Sequence, residues 1–240
     1  MNKYIDMHCH ILPHVDDGAL DIEETKKMLK EAYKDGIRYI IATPHFHPKR
    51  GSASPAKIKE QIALVREEAK KIDENFRIFM GNEIYFGQDV PELLAQKQVL
   101  TMNSRDYILV EFSPTSEASY IRQALTQLQM YGHKVILAHV ERYECIREDM
   151  DLAGYLCEMG ILLQVNAASI IGNNGRAVKK FVKELLEAEM VFCVGTDAHD
   201  CKKRPPHMHK AAQYVEKKFG EEYARRIFFS NAAMMLKKQK

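Results

Sequence analysis

The stretch that decides the fold is residues 4–10, YIDMHCH, in which a short apolar strand runs directly into two histidines. Tyr4–Met7 has the composition of a buried strand. His8 and His10 are two residues apart, so on an extended strand both rings lie on the same side and can bind one metal ion or two neighbouring ions. A single His-x-His pair is weak evidence for a metal site, and its meaning depends on how the other strands end.

Further strands alternate with amphipathic helices along the chain. Apolar or β-branched runs predict seven strands, near Tyr4–Met7, Tyr39–Thr43, Arg77–Met80, Tyr107–Val110, Lys134–Ala138, Ile161–Val165 and Val191–Val194. The first helix is predicted to begin at Asp21, which forms an Asp-x-x-Glu capping box with Glu24. Strict alternation predicts a parallel sheet with right-handed crossovers, and seven units favour a closed barrel. We therefore expect one α/β domain over residues 1–240, ending in a solvated tail, MMLKKQK.

Six of the seven predicted strands run into histidine or carboxylate side chains. These are His8 and His10 after the first strand, His45 after the second, Glu83 after the third, Glu111 after the fourth, His139 after the fifth, and Asp197 and His199 after the seventh. Because the carboxyl ends of parallel barrel strands converge on one face, these side chains are predicted to meet there. Buried carboxylates and histidines need partners that offset desolvation, so a metal site explains the pattern better than unrelated surface residues.

The predicted ligand set is larger than a single ion uses. It contains five histidines together with Glu83, Glu111, Asp197 and one aspartate of the Asp16-Asp17 pair. Two or three ions are therefore expected, and the mixture of imidazole and carboxylate suits Mn, Fe or Zn. Such clusters lower the pKa of a bridging water and hold both the attacking and the leaving oxygen of a phosphoryl transfer. The pattern indicates a metal-dependent phosphohydrolase.

Composition and spacing argue against several other classes of protein. Lysine plus arginine total 35 against 33 for aspartate plus glutamate, so no broad field attracts nucleic acid or an acidic membrane. The first ten residues lack a signal peptide's apolar region, and no run of about 18 apolar residues follows, which predicts a cytoplasmic protein without membrane insertion. None of the five cysteines has arginine six residues later, as a cysteine-dependent phosphatase requires.

Several motifs, taken together, resemble a known family. They are IDMHCHILPHVDDGA (5–19), ATPH (42–45), GNEIY (81–85), LVEF (109–112), LAHVERY (137–143), GTDAHD (195–200) and KKRPPHM (202–208). In this order they are similar to the PHP (polymerase and histidinol phosphatase) superfamily. Most closely they resemble its bacterial manganese-dependent protein-tyrosine phosphatases, which act in capsule and exopolysaccharide regulation.

The resemblance implies a distorted (β/α)7 barrel of the TIM-like PHP type with Mn²⁺ ions, for which Fe or Zn can substitute. The family's ligands fall on His8, His10, Asp17, His45, Glu83, Glu111, His139, Asp197 and His199. The choice of Asp17 over Asp16 rests on the resemblance. The family's phosphate-binding arginines match Arg142 and Arg204. A guanidinium group suits this role because its fork can bind two phosphate oxygens.

The resemblance also implies a mechanism and a partner. A metal-bridging hydroxide would attack phosphotyrosine on a bacterial tyrosine autokinase, with Arg142 and Arg204 stabilising the phosphate oxygens. Tyrosine has a side-chain pKa of about 10, so tyrosinate leaves more readily than an alkoxide. One alternative is a small-molecule phosphatase of the same superfamily, such as one acting on histidinol phosphate, and a second is a non-catalytic module that binds phosphorylated tails. A third is a phosphodiesterase acting on nucleic acid, which the formal charge of +2 does little to support. His14 and His47 lie near the predicted site, but the sequence assigns neither of them a role in binding or catalysis.

Overall fold

In the computed structural model, residues 3–237 form a ring of parallel strands with helices outside it. The strands are β1 (Tyr4–Cys9), β2 (Ile37–Ala42), β3 (His45–Phe46), β4 (Arg77–Met80), β5 (Glu83–Tyr85), β6 (Tyr107–Glu111), β7 (Lys134–Leu137), β8 (Leu162–Asn166) and β9 (Val191–Gly195). The helices are α1 (Ile22–Lys34), α2 (Pro55–Ile72), α3 (Val90–Ala95), α4 (Ala118–Met130), α5 (Glu144–Arg147), α6 (Met150–Glu158), α7 (Ala167–Ile171), α8 (Arg176–Glu187), α9 (His209–Phe219), α10 (Glu221–Arg225) and α11 (Asn231–Leu236). None of these helices combines the length and hydrophobicity needed to cross a bilayer.

Two interruptions divide the ring into two hydrogen-bonded sheets. One sheet has the order β1-β2-β4 and the other β3-β5-β6-β7-β8-β9, with every pair parallel. The break between β2 and β3 contains Pro44, which has no N–H to donate to a ladder. The break between β4 and β5 contains Gly81, where a Cβ atom would lie 2.7 Å from the sulfur of Met102. Asn82 bridges the two breaks, because its amide donates to the carbonyl of Pro44 at 2.9 Å.

The ring closes between its last strand and its first. The N–H of Asp197 donates to the carbonyl of His8 at 2.7 Å, and the N–H of His10 donates to the carbonyl of Ala198 at 2.9 Å. The strands β2 and β3 lie on the two sides of one break, and β4 and β5 on the two sides of the other. When each of these pairs is counted once, the nine strands of residues 3–237 occupy seven positions around the barrel. The predicted α/β class and distorted seven-stranded barrel are therefore confirmed.

A bulge in β1 turns both of its histidines toward the barrel interior. Ile5 and Met7 pack in the interior hydrophobic cluster. In a regular strand His8 and His10 would face the side opposite to these two residues. The pairing of β1 with β2 shifts register between Asp6 and Cys9, and this irregularity brings the histidine rings inward as well. Bulges commonly re-aim side chains beside functional sites in this way.

The buried carboxylate of Asp6 supports this bulge. One of its oxygens accepts from the N–H groups of His8 at 3.2 Å and Thr196 at 2.8 Å, and the other accepts from the Thr196 hydroxyl at 2.5 Å. Burial raises the pKa of Asp6, and the hydrogen bonds from Thr196 and His8 oppose the rise only in part, so the pKa is about 6. The folded protein therefore binds a proton at Asp6 more tightly than the unfolded chain does.

Two sequence predictions need correction: the capping box of the first helix and the solvated C-terminal tail. Asp21 caps α1 as predicted, accepting from the N–H of Glu24 at 2.8 Å, but the reciprocal half of the capping box is absent. The carboxylate of Glu24 accepts instead from the N–H of Cys201 at 3.1 Å. The predicted solvated tail is wrong for Met235 and Leu236, which belong to α11 and pack in or against the interior cluster, whereas Met234 is exposed. Residues 238–240 of that tail lie outside the described part of the chain.

We predict a pH-dependent difference in stability between the wild-type protein and Asp6→Asn. Asparagine cannot titrate, whereas Asp6 takes up its proton near pH 6 in the folded state and near pH 4 in the unfolded state. Lowering the pH from 7 to 4 should therefore stabilise the wild type relative to the variant by up to about 3 kcal/mol. Urea denaturation of metal-stripped protein, followed by circular dichroism, measures the difference. A difference that does not vary with pH would show that Asp6 titrates normally.

Candidate metal centre

The nine predicted ligands lie together at the carboxyl ends of the strands. Eight of them follow or terminate strands of the ring, and Asp17 comes from the loop between β1 and α1. His8, His10, Glu83, His139, Asp197 and His199 are buried, whereas the side chain of Asp17 is 71% exposed. Four of the nine belong to strands themselves, whereas the sequence pattern placed them after the predicted strands: His8 in β1, His45 in β3, Glu83 in β5 and Glu111 in β6.

Three groups of these side chains offer ligand atoms that lie within 4.8 Å of one another. The first group is His8, His10, Glu83 and Asp197; the second is His10, Asp17, His45 and His199; the third is His45, Glu83 and Glu111. Shared members link the groups, so they form one contiguous cluster. His139 stands beside the third group, with its Nε2 atom 2.7 Å from an oxygen of Glu83 and 3.6 Å from an oxygen of Glu111.

Metal ions fit this cluster because, among residues 3–237, several of its buried ligand atoms face only one another. Oδ1 of Asp197 and Nε2 of His199 make no hydrogen bond, and Oε2 of Glu83 meets only ring nitrogens of His8, His10 and His45, at 3.0–3.2 Å. Leaving such atoms buried and unpaired costs about 1–3 kcal/mol each, and more for a charged group. The donor set of imidazole nitrogens and carboxylate oxygens, with no thiolate, suits Mn, Fe or Zn.

Hydrogen bonds behind the rings determine which nitrogen atoms face the cluster. Nδ1 of His8 lies 3.1 Å from the side-chain oxygen of Gln164, and Nδ1 of His10 lies 2.7 Å from a carboxylate oxygen of Asp16. The Nε2 atoms of both rings consequently point at the ligand groups, where they lie 3.1 Å apart. Histidines that bind metals usually donate their other N–H to a carboxylate or carbonyl group in this manner.

The two neighbouring aspartates take different positions. The carboxylate of Asp16 is buried, and its oxygens are already engaged in hydrogen bonds. In addition to contacting His10, it accepts from the N–H groups of His45 and Gly18, each at 3.0 Å. The carboxylate of Asp17 faces the second ligand group, 3.4 Å from Nε2 of His45 and 3.5 Å from Nε2 of His199. Strand position alone could not separate these residues, because they are adjacent in a loop.

The sixth predicted strand carried no ligand, but its polar side chains form hydrogen bonds with the predicted ligands. The sequence analysis missed this role. Gln164 of β8 accepts from the N–H of His139 at 2.9 Å in addition to contacting His8. Its amide donates to Asn166 at 2.9 Å, and Asn166 donates to Asp197 at 3.0 Å. The signal was available as a Gln-x-Asn pair in a strand that is otherwise apolar.

Opposite charges within the cluster raise the pKa values of His45 and His139. Burial lowers the pKa of His45, but hydrogen bonds to Glu111 and Glu83 outweigh burial and raise it to about 10. Burial and the charge of Arg142 lower the pKa of His139, and the same two glutamates raise it to about 9. A metal ion that binds here must displace these protons, so binding releases protons and weakens as the pH falls.

Arg142 and Arg204 converge on one oxygen of the cluster. The Nη2 atoms of both arginines contact Oδ2 of Asp197, that of Arg204 at 2.5 Å. Arg142 ends a short 3₁₀ turn after β7, and its carbonyl accepts from Arg147 at 2.7 Å. Arg204 lies in the loop that Glu24 anchors through Cys201. Each side chain is a little over one-third exposed, so both can reach a ligand that enters from solvent.

The backbone is strained at two of the predicted ligands. His139 has a φ of 33° and Asp197 a φ of 55°, both in the left-handed region that residues other than glycine seldom adopt. These conformations turn the chain sharply at the ends of β7 and β9. Such strain costs about 1–3 kcal/mol per residue and is concentrated at functional sites.

Two openings lead from solvent to the cluster. A cleft of about 540 Å³ is lined by Asp17, His45 and Glu111 together with aromatic side chains of the neighbouring loops. A second cavity of about 280 Å³ is lined by Arg142 and Arg204 together with lysines and asparagines. The arrangement can therefore bind a phosphate between cations and arginines while the rest of the substrate projects outward.

Comparison with known proteins agrees with this geometry. Residues 4–237 match the family described as capsular polysaccharide synthesis, CpsB/CapC. The chain is 36% identical over 235 residues to the tyrosine-protein phosphatase YwqE of Bacillus subtilis, covering 98% of this chain and 92% of YwqE. It is 33% identical over 240 residues to the tyrosine-protein phosphatase CpsB of Streptococcus pneumoniae, covering 98% of this chain and 99% of CpsB.

Solved structures give the same result. A chain from the crystal structures of B. subtilis YwqE and S. pneumoniae CpsB, described as unique metal-dependent tyrosine phosphatases, superposes with a TM-score of 0.90 at 36% identity and covers 98% of this chain and 95% of its own length. A histidinol phosphate phosphatase from Lactococcus lactis shares the fold, with a TM-score of 0.60 at 15% identity and coverage of 89% and 93%. The suspected resemblance is confirmed, and this chain belongs to the CpsB/CapC family of capsular polysaccharide synthesis.

Proposed function

We propose that this protein is a metal-dependent protein-tyrosine phosphatase that hydrolyses the phosphate monoester of phosphotyrosine in proteins. The observation that carries the proposal is the convergence of Arg142 and Arg204 on Asp197, whose other oxygen belongs to a ligand group. Asp197 therefore connects the proposed metal ligands with the two arginines that would bind phosphate. Relatives that are 32–36% identical over nearly the whole chain are tyrosine-protein phosphatases, which supports the same activity here.

The proposed ligands are His8, His10, Asp17, His45, Glu83, Glu111, His139, Asp197 and His199. We propose that they hold two or three Mn²⁺ ions, with Fe or Zn as substitutes of similar preference. When bound, such ions supply positive charge for phosphate oxygens and lower the pKa of a coordinated water. Asp16 and Gln164 would keep the rings of His10 and His8 in the orientation that binding requires.

Arg142 and Arg204 would bind the oxygens of the transferred phosphoryl group. A guanidinium group presents several donors in a planar fork, which matches the oxygens of a phosphate as it matches a carboxylate. Their partner in this structure, Oδ2 of Asp197, is an oxygen with the same requirement for donors. The carbonyl groups of both arginines accept hydrogen bonds, that of Arg142 from Arg147 and that of Arg204 from the N–H of His199, which limits how far the side chains must move to meet the developing negative charge.

The leaving group and the family favour phosphotyrosine over an alkyl phosphate. Tyrosinate, with a pKa of about 10, departs without the obligatory protonation that an alkoxide needs. The alternative substrate, histidinol phosphate, is less well supported, because the solved histidinol phosphate phosphatase shares only the fold at 15% identity. We further propose a bacterial tyrosine autokinase as the phosphotyrosine-bearing partner and the cytoplasm as the location of the reaction, as the family resemblance of the sequence motifs implies.

Metal-stripped protein should hydrolyse a phosphotyrosyl peptide only after Mn²⁺ is returned. We expect turnover of histidinol phosphate to be slower by about 100-fold or more, because the alkoxide leaves less readily. Phosphate release measured with Mn²⁺, Fe²⁺ and Zn²⁺ in parallel tests the activity and the metal preference. A preference for histidinol phosphate would assign the protein to the small-molecule phosphatases.

Replacement of either arginine by lysine should reduce kcat/KM for the phosphotyrosyl peptide by about 10²–10³, as loss of a charge-stabilising donor does elsewhere. The metal content of Arg142→Lys and Arg204→Lys should remain that of the wild type. Arg176→Lys, at an exposed position at the start of α8, is the matched control and should retain full activity. Near-normal kcat/KM in both site variants would rule out phosphate binding by these arginines.

The two loop aspartates should respond differently to alanine. Asp17→Ala should remove one ion from the metal content at equilibrium and leave the stability of the metal-stripped protein unchanged, because this carboxylate is exposed. Asp16→Ala should destabilise the metal-stripped protein by about 1–3 kcal/mol, because buried donors lose their acceptor. Metal analysis and urea denaturation measure the two quantities. Identical effects of the variants would contradict the separate roles.

A further inference from the structure

The larger of the two openings at the metal centre is lined by aromatic rings. This cleft of about 540 Å³ contains His47, Tyr85 and Phe112, and it also contains the ligand-group residues His45 and Glu111. The rings of His47 and Tyr85 are stacked, with centroids 4.5 Å apart and planes at 16°. A molecule whose phosphate is held by the cluster can therefore place its other end against a ring surface.

The spacing of residues on β3 and β5 explains why this stack stands next to the cluster. His45 pairs with Glu83 across the two strands. His47 and Tyr85 each follow these residues by two positions, so their side chains project from the same side of the sheet. One such step advances the chain by about 6.6 Å. His47 directly follows β3 and Tyr85 ends β5, so the aromatic pair lies one step beyond the ligand pair along the same two segments.

The length of this step matches the geometry of an aryl phosphate. In phosphotyrosine a single oxygen separates phosphorus from the ring, so a phosphate at the ligand row places its ring close to the next row. An alkyl phosphate of similar size presents no ring to that row. A contact of this kind distinguishes aryl from alkyl substrates through binding, in addition to the difference between their leaving groups.

The stack is held in place before any substrate arrives. The N–H of His47 donates to the hydroxyl of Ser52 at 2.7 Å, and its Nδ1 accepts from the N–H of Lys49 at 3.2 Å. Tyr85 lies at the end of β5, where it pairs with Glu111 of β6. Because these positions are set by the backbone, little conformational freedom is lost when a ring binds.

The second opening offers a poorer surface for a ring. Its lining includes Lys203, Lys210 and Asn173 as well as the two arginines. Covering these groups with a ring would remove water from charges and amides without replacing their hydrogen bonds. The aromatic cleft is also lined by Arg50 and two aspartates, but its stacked rings of His47 and Tyr85 make it the better place for an aryl group.

We propose that His47 and Tyr85 form the binding surface for the phosphotyrosine ring and make this site selective for aryl phosphates. The inference rests on the proposed phosphatase function and adds a specificity site to it. Neither residue touches the reacting atoms, so their replacement should weaken binding of the ring and leave binding of the phosphate group intact.

Binding of two non-hydrolysable anions to the Mn²⁺-loaded protein tests this proposal. We expect the wild type to bind phenylphosphonate about tenfold more tightly than methylphosphonate by calorimetry. Tyr85→Ala and His47→Asn should each reduce this preference by about three- to tenfold, the range that aromatic pairs contribute. The Kd for methylphosphonate should change less than twofold. Asparagine at position 47 can still accept from the Lys49 N–H, so this variant removes the ring and keeps the turn.

Two controls accompany these variants. Tyr85→Phe keeps the ring and should retain the preference, as should Tyr155→Ala, at an exposed tyrosine on α6. A wild type without a preference, an unchanged preference in both ring variants, or no binding of phenylphosphonate would overturn the proposal. Phosphotyrosyl peptide turnover is measured separately. A ring preference without turnover would refute only the phosphatase function, and turnover without a ring preference would refute only the aryl site.

Discussion

The buried carboxylate of Glu83 is the group on which the arrangement of the barrel's carboxyl end depends. Its oxygens lie 2.7–3.2 Å from ring nitrogens of His8, His10, His45 and His139, which come from three other parts of the ring. Burial raises the pKa of Glu83, but the charge of His8 and the hydrogen bonds from the other histidines outweigh it and hold the pKa well below its usual range. A charge buried this deeply needs cationic partners, and the histidines or bound ions provide them.

The strand ends could be predicted from sequence because two simple rules act on them. Parallel strands bring their carboxyl ends together, and side chains alternate along each strand, so His45 and Glu83 could be assigned to one face without knowing the fold in detail. The bulge at Asp6 and the breaks at Pro44 and Gly81 could not be predicted, and Asp17 could be chosen over Asp16 only through the family resemblance. Each depends on contacts with distant segments, such as the hydrogen bonds of Asp6 with Thr196.

The fold of this chain and its choice of substrate depend on different residues. A histidinol phosphate phosphatase shares the barrel at 15% identity, so the barrel alone does not select a substrate. Selection must come from side chains that stand around the ligands without joining them. In the function proposed for this protein, those side chains are the arginines on one side of the cluster and the stacked rings on the other.

The breaks in β2–β3 and β4–β5 have a consequence for how the molecule responds to metal. His8 and His10 belong to or follow the three-stranded sheet, whereas Glu83 and Glu111 belong to the six-stranded sheet. An ion bound between His8, His10 and Glu83 is therefore a cross-link between two sheets that share no continuous ladder at their breaks. Loading the site would add a link between the two sheets beside the backbone hydrogen bonds that already join the end of β1 to the segment after β9, and should couple the movements of the two sheets more strongly.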